Sequence, residues 1–229
     1  MLVASIVGVD MRATMDIDTT VKALTLNEND IRRIITEVCD IPIEDGVSFE
    51  IMSLSGIMEK FEYPGIRIAL AASMERLKQT IKIDISTDDV ITPAAVEYQY
   101  KLMFEDRYIK LLSYNRETLL AEKIQTVLAR GIANTRLRDL YDIYEVTKLY
   151  AKEVEPDILL AAFGATCKKR DTVFTQEEMA GTLMKLREDS GMKQMWDQFC
   201  RKNYYVGELE WNEVVNDVAY VITEYILNS

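Results

Sequence analysis

The sequence runs to 229 residues, long enough for one large or two small domains with a hydrophobic core, and at 48% hydrophobic and 28% charged it has the make-up of a globular protein. It contains no histidine, which removes Ser-His-Asp and Cys-His catalysis, the His-containing zinc sites and phosphohistidine chemistry, and leaves carboxylates, Lys, Arg, hydroxyls or a cofactor. A net charge of −11 argues against a general nucleic-acid coat, because non-specific binding rests on basic groups that neutralise phosphates.

No apolar run approaches the roughly 20 residues needed to cross a bilayer. The start also lacks the basic stretch and small-residue cleavage site of a secretory signal. No membrane is therefore expected, and a cytoplasmic home follows by default. Cys39, Cys167 and Cys200 are widely spaced and form no Cys-x-x-Cys, so they read as free or buried thiols in a reducing compartment. The charge is uneven. From Arg107 to Arg138 seven bases stand against two acids, whereas from Glu153 onward eight bases stand against fourteen acids. The middle is thus a local anion-attracting zone in an acidic protein.

In chain order, residues 1–9 read as a buried helix, with Gly8 near its end. Asp16-Ile-Asp18 follows on an expected strand. Successive strand side chains point to opposite faces, so Asp16 and Asp18 share one face and Ile17 takes the other. Asn27 or Asn29 caps a second helix through about Cys39, with Ile31, Ile34, Ile35 and Val38 at helical spacing and Arg32, Arg33 and Glu37 on the solvated face. Residues 47–53 and 66–72 alternate as strands, and a hairpin leads into a third alternating run, Lys82-Ile-Asp-Ile-Ser86. If that strand lies beside the Asp16–Asp18 strand with polar faces aligned, Asp84 joins the aspartates, and three carboxylates converge as a one- or two-metal phosphoryl or nucleotidyl transfer site needs. Both stretches also have an ordinary reading, as turn chemistry at a strand end and as a half-solvated strand.

Two further extended pieces, around 96–104 and 108–114, close a mixed α/β half, and from Asn115 the pattern is helical throughout. The expected domains are 1–114 and 115–229. A helix over 116–130 carries Leu119, Leu120, Ile124, Val127 and Leu128 on its buried stripe, and Lys123 falls among them. A lysine there either snorkels or has a function. Gly131 ends that helix and Thr135 caps the next. In the latter Arg138 is expected to pair with Asp142 at i, i+4, while Asp139 is more open. Thr175-Gln-Glu-Glu178 is a capping box, and a last helix places Val214, Val218, Val221, Ile222 and Tyr225 on one face.

Taken together, Arg12-x-Thr-x-Asp-x-Asp18, Lys82-Ile-Asp-Ile-Ser86, Glu122-Lys123 and Asn134-Thr-Arg-x-Arg-Asp-x-Tyr-Asp142 resemble the AbiEii/AbiGii toxin family of nucleotidyltransferases. The resemblance covers roughly residues 1–150, with the last motif the most specific. It implies an α+β fold, a polymerase-beta-like mixed sheet followed by an all-helical C-terminal part. It further implies Mg²⁺ held by Asp16, Asp18 and Asp84, Lys123 on the triphosphate with Arg136 and Arg138 offsetting its charge, Asp139 as the acidic position of the helical motif, and Thr14 facing the nucleotide. The implied activity is transfer of a nucleotide from an NTP to an RNA (tRNA) or protein acceptor by a growth-arresting toxin of phage defence, restrained by a cognate antitoxin. The family's Gly-Gly or Gly-Ser pair, whose backbone N–H groups cradle phosphate, would end where this sequence begins. That departure raises a rival expectation, a catalytically silent scaffold that binds an antitoxin-like partner. Phosphorylation by the same carboxylates is a third.

Overall fold

The computed structural model of the chain describes residues 3, 16–21, 27–57, 65–87, 89–102 and 105–228. Most of the helix expected over 1–9 lies outside them, as does Thr14; Val3 is helical and buried. Two compact units emerge, one running from Thr14 to Asp89 and the other from Val90 to Ser229 with residues 2–13.

The first unit is a four-stranded mixed sheet with one helix on it. Its strands are β1 (Asp16–Val21), β2 (Ser48–Ile57), β3 (Gly65–Met74) and β4 (Leu77–Thr87), in the order β1-β4-β3-β2. β1 runs parallel to β4, while β3 is antiparallel to both β4 and β2. β3 and β4 form a tight hairpin in which Glu75 takes a left-handed conformation at φ 52°. Period-2 alternation sends Ile66, Ile68, Leu70 and Ile85 to one face, where they are buried together with Ile31. Ile31 comes from α1 (Glu28–Cys39), whose N-cap Asn27 accepts a hydrogen bond from the Asp30 amide. Ile35, one turn on, packs on the same cluster. Charged residues hold the outer side of α1. Its Arg33–Glu37 pair, at 2.9 Å but largely solvated, adds only a few tenths of a kcal/mol. Burial of the sheet's apolar face therefore fixes the register, because a slip by one residue would turn every isoleucine to water.

The second unit opens with a hairpin, β5 (Val96–Lys101) and β6 (Tyr108–Ser113), and continues as helices α2 (Arg116–Arg130), α3 (Leu137–Tyr150), α4 (Pro156–Lys169), α5 (Gln176–Glu188), α6 (Ser190–Lys202) and α7 (Trp211–Ile222). Asn115 caps α2 by accepting from the Thr118 amide, and Gly131, at φ 49°, ends it as expected. The core is made from Leu120, Ile124 and Val127 of α2, Leu140, Ile143 and Val146 of α3, Leu159, Leu186, Trp196, Val214, Val218 and Ile222. Buried Trp196 satisfies its indole N–H on the Leu209 carbonyl at 2.8 Å. The capping box at Thr175 and Glu178 forms reciprocally. Thr135 does not cap α3. The cap position is Arg136, whose amide donates to the Asn134 carboxamide oxygen at 2.9 Å, so an Asx turn replaces the expected hydroxyl cap. The architecture is α+β, a mixed sheet followed by a helical C-terminal region, as the sequence predicts.

Candidate functional site

The first cluster lies on the solvated face of the sheet. The parallel register of β1 and β4 sets Asp16 opposite Lys82, Asp18 opposite Asp84 and Thr20 opposite Ser86. Paired residues of a parallel ladder share a face, so these three pairs form one polar row with Ile17, Ile83 and Ile85 on the reverse. On its other side Asp84 faces Arg67 of β3. The guanidinium forks onto the carboxylate, with Nε donating to Oδ1 at 2.7 Å and Nη2 to Oδ2 at 2.6 Å. Further along the row, the hydroxyls of Thr20 and Ser86 both donate to Asp89 Oδ2 at 2.5 Å. This ties the end of β1 to the chain leaving β4.

These groups suit a hard cation. Mg²⁺ takes oxygen ligands, ordinarily one or two protein carboxylates with water and substrate phosphate completing the shell, and adjacent strands about 4.8 Å apart bring two carboxylates within reach of one ion. Asp18 and Asp84 are such a pair. The Asp16 backbone falls on the same row, but its side chain lies outside the description. Among the described residues no group of three or more Asp, Glu, Cys or His side chains is placed to hold a metal.

The second cluster belongs to the helical unit. Lys123 of α2 reaches α3, where its Nζ lies 2.7 Å from Asp142 Oδ2 and 3.1 Å from Asp139 Oδ1. The Lys123 side chain is 13% exposed and that of Asp142 fully buried, so neither charge is tolerable alone. Burial by itself pushes the lysine pKa down. The two carboxylates outweigh it and hold the value above the ordinary one, so Lys123 is a permanent cation and not an amine nucleophile. This corrects the expected Arg138–Asp142 pair: local spacing allows it, but the tertiary approach of α2 gives Asp142 to Lys123. Asp139 is also held by Arg136, whose Nε stands 2.9 Å from Oδ2. Arg138 is half-buried in the first turn of α3. Asn134 is fully buried, and its carboxamide nitrogen has no hydrogen-bond partner among the described residues.

Of the residues singled out from sequence, the register thus joins Asp18 with Asp84 in the first unit and the helix pairing joins Lys123 with Asp139 in the second. Arg136 lies beside Asp139, and Thr14 is outside the description. Two residues escaped sequence reading. Arg67 looked like one polar position of an alternating strand; counting back through a two-residue β3–β4 turn pairs it with Asp84 and was the available signal. Asn134 carried the mark of an Asx turn two residues ahead of a helix.

A family described as nucleotidyl transferase AbiEii toxin, type IV TA system, matches residues 1–217. The fold is similar to the crystal structure of JHP933 from Helicobacter pylori, at 15% identity and a TM-score of 0.43, over 95% of this chain and 78% of that one. It is also similar to a putative nucleotidyltransferase from H. pylori, at 14% identity and a TM-score of 0.42, over 93% of this chain and 80% of the other. No curated protein matches the sequence.

Proposed function

The chain belongs to the AbiEii family of nucleotidyl transferase toxins of type IV toxin–antitoxin systems, and we propose that it transfers a nucleotide from a Mg²⁺-bound NTP to an RNA (tRNA) or protein acceptor. One observation carries this reading: the parallel register that seats Asp18 directly beside Asp84 on an open sheet face. Asp18 and Asp84, with Asp16, are the residues that would hold the cation. Bound there, Mg²⁺ would supply polarisation of the α-phosphate and organisation of the leaving pyrophosphate. The rest is the chain's own work. In the second unit, Lys123, with two of its three donors spent on Asp139 and Asp142, and the nearby Arg136 and Arg138 are the cations proposed to offset triphosphate charge. Asp139 holds Lys123 and Arg136 at fixed positions.

Family membership implies an antitoxin partner. The NTP, the tRNA acceptor, the cytoplasmic setting and the role in phage defence are parts of the proposal. A rival reading, a catalytically silent scaffold that binds an antitoxin-like protein, draws on the Arg67 fork, which occupies Asp84 as a structural ion pair would. Calorimetry with each NTP in the presence of Mg²⁺ separates the two. The proposal expects saturable, Mg²⁺-dependent binding that weakens at least about tenfold, or 1.4 kcal/mol, in Asp84→Asn. Absence of NTP binding to the wild-type chain would favour the scaffold.

A further inference from the structure

The chemistry of Asp84 changes with what neutralises it. On the sheet's polar face Asp84 stands between a like charge, Asp18 on β1, and an opposite one, Arg67 on β3, both at directly paired positions. Two carboxylates opposed on neighbouring strands repel. Cationic groups offset that repulsion: Lys82 lies on the same row, the Arg67 guanidinium pairs directly with Asp84, and a divalent metal ion would do the same. The Arg67 guanidinium engages both carboxylate oxygens of Asp84 in a bidentate fork at 2.6 and 2.7 Å. Such a fork is the strongest geometry an arginine offers a carboxylate, and it takes two of the about four lone-pair sites for which an incoming ion competes. The pair is not locked in, because the Arg67 side chain is 44% exposed and that of Asp84 22%. Exchange requires no unpacking of the core, which lies on the other face.

We propose that Arg67 is a charge latch on the metal site: the guanidinium and the divalent cation compete for Asp84, so Arg67 keeps the carboxylate pair closed until a cation displaces it. The inference rests on the reading of Asp18 and Asp84 as cation ligands. Its consequence is a site deliberately weaker for free cation than its carboxylates allow. A second anion that accepts the released guanidinium favours loading further, and the forked geometry of arginine suits a phosphate group.

Mn²⁺ alone, titrated into the full chain and followed by loss of the free-ion paramagnetic resonance signal, tests the latch without any turnover. Arg67→Gln removes the competitor and is expected to bind Mn²⁺ roughly five- to tenfold more tightly than wild type, the scale set by losing an ion pair of this exposure together with a nearby like charge. Arg67→Lys keeps the charge but not the fork and is expected to fall between them; as the milder substitution it also serves if the glutamine variant folds poorly. Asp84→Asn is the control. If Asp84→Asn weakens Mn²⁺ binding but Arg67→Gln binds no more tightly than wild type, the latch is overturned while the reading of the site stands. If Asp84→Asn leaves Mn²⁺ binding unchanged, or wild type and Arg67→Gln both fail to bind, the reading of the site falls and the latch with it.

Discussion

Replacing Lys123 with methionine isolates the ion-pair network of the helical unit. Methionine fills nearly the same path with an apolar chain, so packing changes little and the charge is what disappears. Two carboxylates then remain: Asp142, fully buried and 2.7 Å from the lost ammonium, and Asp139, which keeps Arg136 at 2.9 Å. The Arg136 side chain is 56% exposed, so its help is that of a surface pair, below about 1 kcal/mol. Stranding one partner of a buried pair costs about 3–5 kcal/mol, a large share of the roughly 5–15 kcal/mol that holds a domain folded. The expected loss for Lys123→Met is in that range. Urea unfolding followed through Trp196 and Trp211, both in the core of the same unit, reads it directly. Adding Asp142→Asn removes the buried charge that faced the ammonium and should restore about 2 kcal/mol or more, a coupling that only interacting neighbours show. The sign with pH follows from the raised lysine pKa: this stabilisation is fully present below the ordinary lysine value and lost only as pH rises through the raised one, so between about pH 6 and 9 the deficit is flat. A Lys123→Met loss under about 0.5 kcal/mol, or a double variant no more stable than the single one, would refute the reasoning.

Further outcomes follow from the same physics. Glu145 is buried on α3, where desolvation and Asp142 raise its pKa against the opposing pull of Lys148. A carboxyl with a raised folded value binds its proton more tightly when folded, so stability falls as pH rises past the unfolded value. Glu145→Gln is therefore expected to melt higher than wild type at pH 7, with the gap closing below about pH 4; a variant that melts lower at pH 7 would show the charge to be favourably paired. Thr175→Ala removes the hydroxyl half of the α5 capping box, and about 1 kcal/mol of stability should go with it in the same urea assay.

Local signals in the sequence were read off with good resolution. Residues 116–130 declare their helix through the leucine, isoleucine and valine stripe and the terminal Gly131, and Thr175 with Glu178 declares a start through side chains that satisfy each other's backbone. Asn27 is the cap of α1, as one of two candidates. The polar alternation of 82–86 placed Asp84 on a solvated face before any partner strand was known. What was not legible depends on long-range geometry. Asp142 has a local suitor at i−4 in Arg138, and nothing in the spacing reveals that α2 delivers Lys123 within 2.7 Å instead. The Arg67–Asp84 fork requires the hairpin register, which is set by a turn whose left-handed residue is Glu75, not the glycine that would have marked it. Thr135 looked like the better cap because hydroxyls commonly serve there. Asn134 competes with the same kind of oxygen one residue earlier and wins the Arg136 amide.

Nucleotide transfer at the carboxylates of the β1–β4 ladder leaves a covalent mark on its acceptor. The most direct test is label transfer from each α-labelled NTP, with Mg²⁺, to total bacterial RNA and to protein, with wild type and Asp84→Asn in adjacent lanes and the folded state of both verified by melting. The expected result is a labelled RNA or protein band with the wild-type chain that vanishes with Asp84→Asn at unchanged fold. Undiminished labelling by Asp84→Asn, or no labelled product from the wild-type chain with any NTP, would contradict it.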